Sequence, residues 1–148
     1  MRNSSSVTQA DYSGTPLAKK LGVKQGHTVL LIGAPAAWVI PDLPEKVEER
    51  RSTEPIADPE AAVVVAFYRT AAEFVRAGPG IAQGLAPDAA LWVAWPRRAA
   101  GHDSDISDHL LREVLLPLGV VDVKGAAFDH DWSGLKFVWR RENRLPRR

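Results

Sequence analysis

The sequence contains no cysteine, and this absence excludes several kinds of site at once. A chain without thiols has no disulfide framework, no thiolate nucleophile, and no zinc or iron–sulfur centre held by cysteine. Any catalytic group would have to be an oxygen or a nitrogen. An excess of one charge is also missing, because the formal net charge is only +1. This balance indicates neither nucleic acid nor an anionic membrane as a partner.

Long hydrophobic runs are absent as well. The longest, such as residues 61–67, fall far short of the roughly twenty residues needed to cross a bilayer. The first residues are largely polar and contain no apolar core of a signal peptide. We therefore predict a cytoplasmic protein that makes no contact with membranes.

What is present is the composition of an ordinary folded domain. The 148 residues are 45% hydrophobic and 25% charged, which suits one continuous core and leaves no room for a second domain. The serine-rich start and the basic end show no periodicity. We predict a disordered tail over residues 1–10, a single α/β domain over residues 11–141 and a basic C-terminal tail over residues 142–148.

Apolar, β-rich runs predict strands that are buried on both faces, as in a parallel sheet. A charged run predicts an edge strand, and the last two runs predict an antiparallel hairpin closed by a turn at residues 129–134. The buried strands are predicted at residues 28–33, 61–67 and 89–95, the edge strand at 47–51, and the hairpin strands at 120–128 and 135–140.

Two longer helices are predicted between the strands. Thr70 is expected to cap a helix over residues 71–77, which Gly78-Pro79-Gly80 should end, with a shorter helix following to residue 85. Either Asp105 or Ser107 is expected to cap the second, whose apolar stripe ends at Gly119.

A short helix is predicted near the start of the domain, over residues 17–22. Thr15 is its expected cap, Pro16 suits its first position and Gly22 suits a left-handed exit. Alternating strands and helices predict a three-layer, Rossmann-like α/β fold, with a mostly parallel sheet of about five or six strands ending in an antiparallel hairpin. That order resembles a shortened form of the S-adenosylmethionine-dependent methyltransferase fold.

Ligands of open parallel sheets bind beyond the carboxyl ends of the strands, and aromatic and arginine side chains follow the predicted strands there. We expect them to form a cleft for a flat or anionic small molecule, although polar loops at a sheet edge are also common without any site. Arginines would bind the anionic group and tryptophans would stack on or shield the ligand. The candidate residues are Trp38, Arg69, Arg97, Arg98, Trp132 and Ser133.

Motifs that would supply catalysis are missing from these loops. A methyltransferase-type cofactor needs a glycine-rich turn after the first strand, but only Gly33 is present and Pro35 removes an amide donor. Glu48 or Glu49, the nearest candidates for a ribose contact, lie in a weak strand. We therefore expect no cofactor.

The turn Asp129-His130-Asp131 with Ser133 does not form a catalytic triad, because neighbours on one turn point in different directions. Together with His102-Asp103 it could offer metal ligands, but aspartates in surface turns usually act as caps. We expect neither a catalytic residue nor a metal site.

Three blocks of sequence resemble an uncharacterised bacterial, mainly actinobacterial, domain family of unknown function. They are residues 12–22 (YSGTPLAKKLG), 91–98 (LWVAWPRR) and 132–138 (WSGLKFV), although the family usually has a lysine where Arg97 stands. The resemblance covers about residues 12–140. It implies a small cytoplasmic bacterial protein and no established activity, cofactor or catalytic residue.

The functional hypothesis is a non-catalytic or regulatory domain that binds a small anionic ligand or a protein. The alternative is a reduced S-adenosylmethionine-dependent methyltransferase-like enzyme. A weaker option is an accessory protein that binds a partner through an exposed face, for example a second copy of itself in a homodimer. Nucleic acid is not an expected partner, because the basic pairs lack interleaved aromatic residues.

Overall fold

The computed structural model describes residues 15–144, so the predicted tail at residues 1–10 and the first residues of the block at 12–22 lie outside the described part. The described chain forms one sheet of six strands in the spatial order β2-β1-β3-β4-β6-β5. The strands are β1 Thr28–Ile32, β2 Glu48–Ser52, β3 Val63–Phe67, β4 Ala90–Pro96, β5 Val120–Ala127 and β6 Trp132–Trp139.

The first four strands run parallel, and β6 runs antiparallel to both β4 and β5. β3 lies in the middle of the sheet and is buried at every position, as its unbroken run VVVAF predicts. β2 is the charged edge strand, with the exposed pattern expected of an edge. The predicted α/β class with an antiparallel end is confirmed.

Helices lie on both faces of this sheet. On one face, α2 (Ala71–Gln83) and α3 (Asp108–Leu115) bury apolar residues together with alternate residues of the central strands. On the other face, α1 (Leu17–Leu21) packs with a segment after β1 that contains Trp38 and Ile40. In the described part no helix is long and apolar enough to span a membrane.

The start of α1 differs from its prediction. Pro16 itself holds the N-cap position, with an extended backbone and no side-chain cap, so Thr15 is not the cap. Gly22 does provide the left-handed exit, with a φ of 83°. The capping preference of a residue contributes little to where so short a helix begins. The packing of its buried face determines the start of α1.

α2 does not end at Gly78-Pro79-Gly80, and this prediction was wrong: one helix runs from Ala71 to Gln83. Pro79 deprives only the carbonyl of Val75 of a donor, and Val75 lies on the solvent side, with 48% of its surface exposed. Gly78 faces inward, where a Cβ atom would lie 2.5 Å from the ring of Phe74. Tertiary packing thus outweighs the breaker signal.

Both long helices begin as their caps predict. Thr70 and Glu73 form a reciprocal capping box at the start of α2. Ser107, rather than Asp105, caps α3 by accepting a hydrogen bond from the backbone N–H of Leu110 at 3.2 Å. Asp105 accepts instead from the backbone N–H of Ala71 at 2.7 Å, so it joins the loop before α3 to the first turn of α2.

The closing hairpin forms, but its turn is shorter than residues 129–134. Trp132, Ser133 and Gly134 belong to β6, and the backbone N–H of Phe128 donates to the carbonyl of Trp132 at 2.8 Å. Gly134 pairs with Ala94 of β4, and the ring of Phe128 lies over it where a side chain would otherwise be. Turn residues such as Ser133 and Gly134 predict a loop, because the sequence alone does not show the contact with the Phe128 ring.

The C-terminal residues that fall inside the described part are bound to the domain. A 3₁₀ turn spans Arg141–Asn143, and the side-chain amide of Asn143 donates to the carbonyl of Gly119 at 3.0 Å. The Arg144 guanidinium donates to the carbonyl of Trp139 at 2.7 Å. Two residues of the predicted basic tail, Asn143 and Arg144, therefore hold contacts to the end of β6 and to the residue before β5.

Candidate functional site

The loops that follow β1, β3 and β4 meet the β5–β6 turn at the carboxyl edge of the parallel strands. A chain of aromatic rings marks this meeting point. The ring of Trp38 meets Phe67 edge-on with centroids 4.8 Å apart, and Phe67 meets Trp132 edge-on at 5.0 Å. Loops far apart in sequence are thus held together by buried edge-to-face ring contacts.

Asp129 fixes the β5–β6 turn to this ring chain. One of its carboxylate oxygens accepts from the indole N–H of Trp38 at 3.0 Å. The other accepts from the backbone N–H groups of Asp131 and Trp132, each at 2.9 Å. Asp129 is therefore the cap of its turn, as expected for an aspartate in this setting, and it also orients Trp38.

Arg97 supports the same turn from the other side. Its side chain is buried, with 8% of the residue exposed, and one guanidinium nitrogen donates to the carbonyls of Asp129 and His130 at 3.3 and 2.9 Å. Its backbone N–H donates to the carbonyl of Asp131 at 2.8 Å. Arg97 therefore stabilises this turn, and it also lines a cavity beside β5 and β6.

The predicted site residues divide among several cavities, and Trp38 lines the one on the α1 side. Arg98 and Ser133 line a cavity of about 400 Å³ beside β5 and β6, where the Arg98 guanidinium also donates to the carbonyl of Ser104 at 3.0 Å. Arg69 and Trp132 line another, of about 420 Å³, at the carboxyl edge. The six predicted residues therefore do not surround a single pocket.

The carboxyl-edge cavity, which we call the first cavity, combines a cation, an aromatic face and a histidine–aspartate pair. The Arg69 guanidinium lies 5.3 Å from the centroid of the Trp132 ring, a cation–π distance. Nε2 of His102 lies 2.9 Å from a carboxylate oxygen of Asp131. This hydrogen bond is the main reason why the pKa of Asp131 is below its ordinary value.

The His102–Asp131 pair does not extend into a metal site. Nowhere in residues 15–144 do three histidine or acidic side chains come together in a group able to hold a metal ion. His102 and Asp131 are both exposed, and Asp103 lines the same cavity without joining their pair. The chemistry offered is that of a proton acceptor beside a carboxylate.

A second cavity, of about 360 Å³, lies next to the first and shares Arg69 with it. It is lined by Gly33, Tyr68 and Glu73, among other residues. Gly33 has a φ of 70°, and a Cβ atom there would lie 3.3 Å from the carbonyl oxygen of Phe67, so the backbone comes close to the neighbouring strand end.

Tyr68, one of the residues that line the second cavity, has an orphaned polar group. It is 7% exposed, and its hydroxyl is the one buried side-chain polar atom of the described residues that has no hydrogen-bond partner. Burial, with a smaller contribution from the Glu73 carboxylate, raises the pKa of Tyr68 to about 12. The hydroxyl therefore stays protonated and can donate. The sequence-based site included Arg69 but not its neighbour Tyr68.

A larger cavity, of about 590 Å³, lies on the α1 side of the edge. Its ionisable lining groups are Asp42 and Asp129, both acidic, and the rest is mainly proline and apolar surface. An anionic ligand would be repelled there, so size alone does not identify the site.

The segment after β1 departs from the arrangement that a nucleotide-type cofactor usually meets. No helix follows β1 over residues 33–47. The Arg51 guanidinium, at the end of β2, donates instead to the carbonyls of Pro35, at 3.4 Å, and Trp38. Glu48 and Glu49 lie at the opposite end of β2 and pair with Arg50 and Arg51, so neither reaches the carboxyl edge.

Comparison with known proteins identifies the fold and no family. No protein-family model matches the sequence, and no curated protein matches it. The resemblance to the family with the three sequence blocks therefore remains a prediction.

Solved structures share the fold at low sequence identity. An S-adenosylmethionine-dependent methyltransferase from Aquifex aeolicus aligns with a TM-score of 0.52 and 14% identity, over 82% of this chain and 86% of that chain. The complex of DhpI with S-adenosylhomocysteine aligns with a TM-score of 0.54 and 10% identity, over 93% and 89% of the two chains. The B. subtilis tRNA methyltransferase TrmK aligns with a TM-score of 0.54 and 12% identity, over 84% of this chain and 64% of that chain.

At 10–14% identity these comparisons show a shared fold and nothing finer. The described chain has a Rossmann-like α/β fold similar to that of S-adenosylmethionine-dependent methyltransferases.

Proposed function

We propose that this chain is a reduced methyltransferase-like domain that binds an adenosyl ligand of the S-adenosylmethionine class at the carboxyl edge of its sheet. The observation that carries the proposal is the pair of adjoining cavities that share Arg69 at this edge. Ligands of open parallel sheets bind at this edge.

The second cavity contains polar groups suited to such a ligand. The Glu73 carboxylate and the Thr53 hydroxyl are acceptors for ribose hydroxyls, and the Arg69 or Arg76 guanidinium suits the carboxylate of the amino-acid part. An arginine is needed for that carboxylate because no helix N-terminus follows β1. When bound, S-adenosylmethionine supplies an electrophilic methyl group.

The first cavity is the position proposed for a methyl acceptor. Trp132 and Pro35 offer apolar walls, and the cavity opens beside Arg69, which it shares with the cofactor side. His102 also lines this cavity, and its imidazole is the kind of group that serves as a general base. When Nε2 donates to Asp131, Nδ1 is the nitrogen left to take a proton from the acceptor.

A second candidate, a non-catalytic binding domain, is favoured by the segment after β1. Arg51, near the carboxyl end of β2, holds this segment through the carbonyls of Pro35 and Trp38. Such a segment suits a domain that binds an anionic metabolite at Arg69 and Trp132 without reacting with it. The two candidates differ in whether the bound ligand is consumed.

Calorimetric titration with S-adenosylmethionine and S-adenosylhomocysteine tests the first candidate. We expect binding that weakens about tenfold or more in Arg69→Ala, because a charge-assisted hydrogen bond contributes about 1.5–3 kcal/mol. Arg141→Ala is the matched control, since Arg141 is exposed and follows the end of β6 that lies opposite the carboxyl edge.

Three outcomes decide between the candidates. Binding with methyl transfer that slows in His102→Ala supports the enzyme. Binding without formation of S-adenosylhomocysteine supports the non-catalytic domain. If neither adenosyl compound binds, the adenosyl proposal is wrong, and a thermal-shift screen of anionic metabolites on the wild-type and Arg69→Ala proteins tests the second candidate by itself.

A further inference from the structure

Two lysines stand directly opposite each other on the hairpin, away from the carboxyl edge. Lys124 of β5 pairs in register with Lys136 of β6, just beyond a β-bulge. Like charges placed opposite each other on neighbouring antiparallel strands destabilise the sheet. A pair of this kind calls for a compensating negative charge.

The surroundings of Lys136 supply more positive charge and no negative side chain. Its ammonium lies over the turn that ends α1, where a Cβ atom on Gly22 would be 3.7 Å from Nζ. Lys136 is half-buried, and no ion pair joins Lys24, Lys124 or Lys136 to an acidic group within residues 15–144. Burial first, and then the charges of Lys124 and Lys24, lower the pKa of Lys136.

Lys20 distinguishes this cluster from an ordinary structural lysine. It is buried on the same face of the sheet, but its ammonium donates to the carbonyl of Ala127 at 3.0 Å. For Lys24, Lys124 and Lys136 the described residues show no such acceptor at the ammonium. A half-buried ammonium beside two like charges is stabilised best by an anion from outside the chain.

We propose that Lys24, Lys124 and Lys136, which we call the lysine cluster, bind a phosphate group at the flank of the sheet beside α1. Lysine binds phosphate as a compact point charge, and several ammonium groups match a multiply charged phosphate better than a single carboxylate. The site is separate from both cavities of the carboxyl edge and independent of the proposed function. Phosphate on a small molecule and phosphate in a nucleic-acid backbone share this chemistry.

The test compares melting temperatures with inorganic phosphate, tripolyphosphate and a short oligothymidylate, each against sodium chloride at equal ionic strength. Phosphate or tripolyphosphate should raise the melting temperature of the wild-type protein beyond the chloride value, because a ligand that binds the folded state stabilises it. A response to phosphate and tripolyphosphate identifies a small phosphate ligand. A response to oligothymidylate alone identifies a phosphodiester backbone.

Lys124→Glu separates the repulsion between the two lysines from the binding of an anion. Without added anion, this variant should melt higher than the wild-type protein, because a glutamate opposite Lys136 replaces repulsion by attraction. Its affinity for tripolyphosphate should fall at least about tenfold. Arg141→Gln removes one exposed positive charge elsewhere and should keep the wild-type response.

Two results would overturn the proposal. The first is that no phosphate probe raises the melting temperature of the wild-type protein more than sodium chloride does. The effect would then be charge screening alone. The second is a tripolyphosphate affinity of Lys124→Glu equal to that of the wild-type and Arg141→Gln proteins.

Discussion

Individual side chains at the carboxyl edge divide into those that build the edge and those that remain available to a ligand. Arg51 and Arg97 donate to loop carbonyls, and Asp129 caps its own turn while accepting from Trp38. Arg69 instead lies over an aromatic ring with its guanidinium facing the cavities. Two arginines that look alike in the sequence, Arg69 and Arg97, therefore have different tasks because one is exposed and the other buried.

Tyr68→Phe tests the orphaned hydroxyl at the residue scale. Removing a buried donor that has no partner should leave the ligand-free protein as stable as before or stabilise it by about 1 kcal/mol. Urea unfolding measures this change. Ser107→Ala is the contrast, because it removes a hydroxyl that caps α3 and should cost about 1 kcal/mol. A loss in Tyr68→Phe as large as that in Ser107→Ala would show that the Tyr68 hydroxyl has a partner.

The elements of the fold are set by local signals that packing sometimes overrides. The capping box at Thr70 and the cap at Ser107 begin α2 and α3 where the sequence predicts. Within α2, Gly78 faces the core and Gly80 faces solvent, so a side chain added at the two positions would meet different surroundings. Gly78 is covered by the ring of Phe74, whereas a Cβ atom on Gly80 would meet only the carbonyl oxygen of Pro55, at 3.9 Å.

The glycine pair in α2 gives two substitutions with opposite expected signs. Gly78→Ala should destabilise the protein by about 1–3 kcal/mol, because the fully buried ring of Phe74 has no room to move. Gly80→Ala should stabilise it by up to about 1 kcal/mol, since alanine is the better helix former. Thermal and urea unfolding of the two variants measures both changes. Equal effects would contradict the packing account of α2.

On the scale of the whole molecule, the sheet has a charged edge at β2 and an apolar centre. Arg50 of β2 pairs with Glu48 at 2.7 Å, with Asp58 at 2.5 Å and with Glu60 at 3.0 Å. The backbone N–H of Glu60 and then the Arg50 guanidinium hold the pKa of Asp58 below its ordinary value of 3.8. This network ties the loop before β3 to the edge strand.

The charged edge predicts sensitivity to acid. A carboxylate whose pKa is lowered by folding stabilises the native state above its unfolded-state pKa, and this contribution is lost as the pH falls through the lower, folded-state value. The wild-type protein should therefore lose stability below pH 3.8, and Asp58→Asn should lose less over the same range. Urea unfolding at neutral pH and at about pH 3 measures the difference.

Asp88→Asn is the control for this acid effect, because Asp88 is exposed and forms no ion pair in the part of the chain that is described. It should leave the acid sensitivity of the wild-type protein in place. An Asp58→Asn protein that loses as much stability in acid as Asp88→Asn would show that the Arg50 network does not carry the effect.

The sequence by itself determined the fold class, the four parallel strands, the closing hairpin and the cap of α2, and it narrowed the cap of α3 to Asp105 or Ser107. These follow from local chemistry: apolar runs such as residues 61–67 have to be buried, and Thr70 and Ser107 satisfy backbone donors a few residues away. Strand periodicity and caps need no information about distant residues. The same reasoning placed the candidate loops at one edge, because parallel strands end together.

Only the tertiary structure decided which of those side chains share a cavity. It buried Arg97 against the β5–β6 turn, separated Arg98 and Ser133 from Arg69, and left the Tyr68 hydroxyl without a partner. It also brought Lys124 opposite Lys136, which depends on hairpin register and on one β-bulge. Burial and register are properties of contacts between distant segments, so no local pattern contains them.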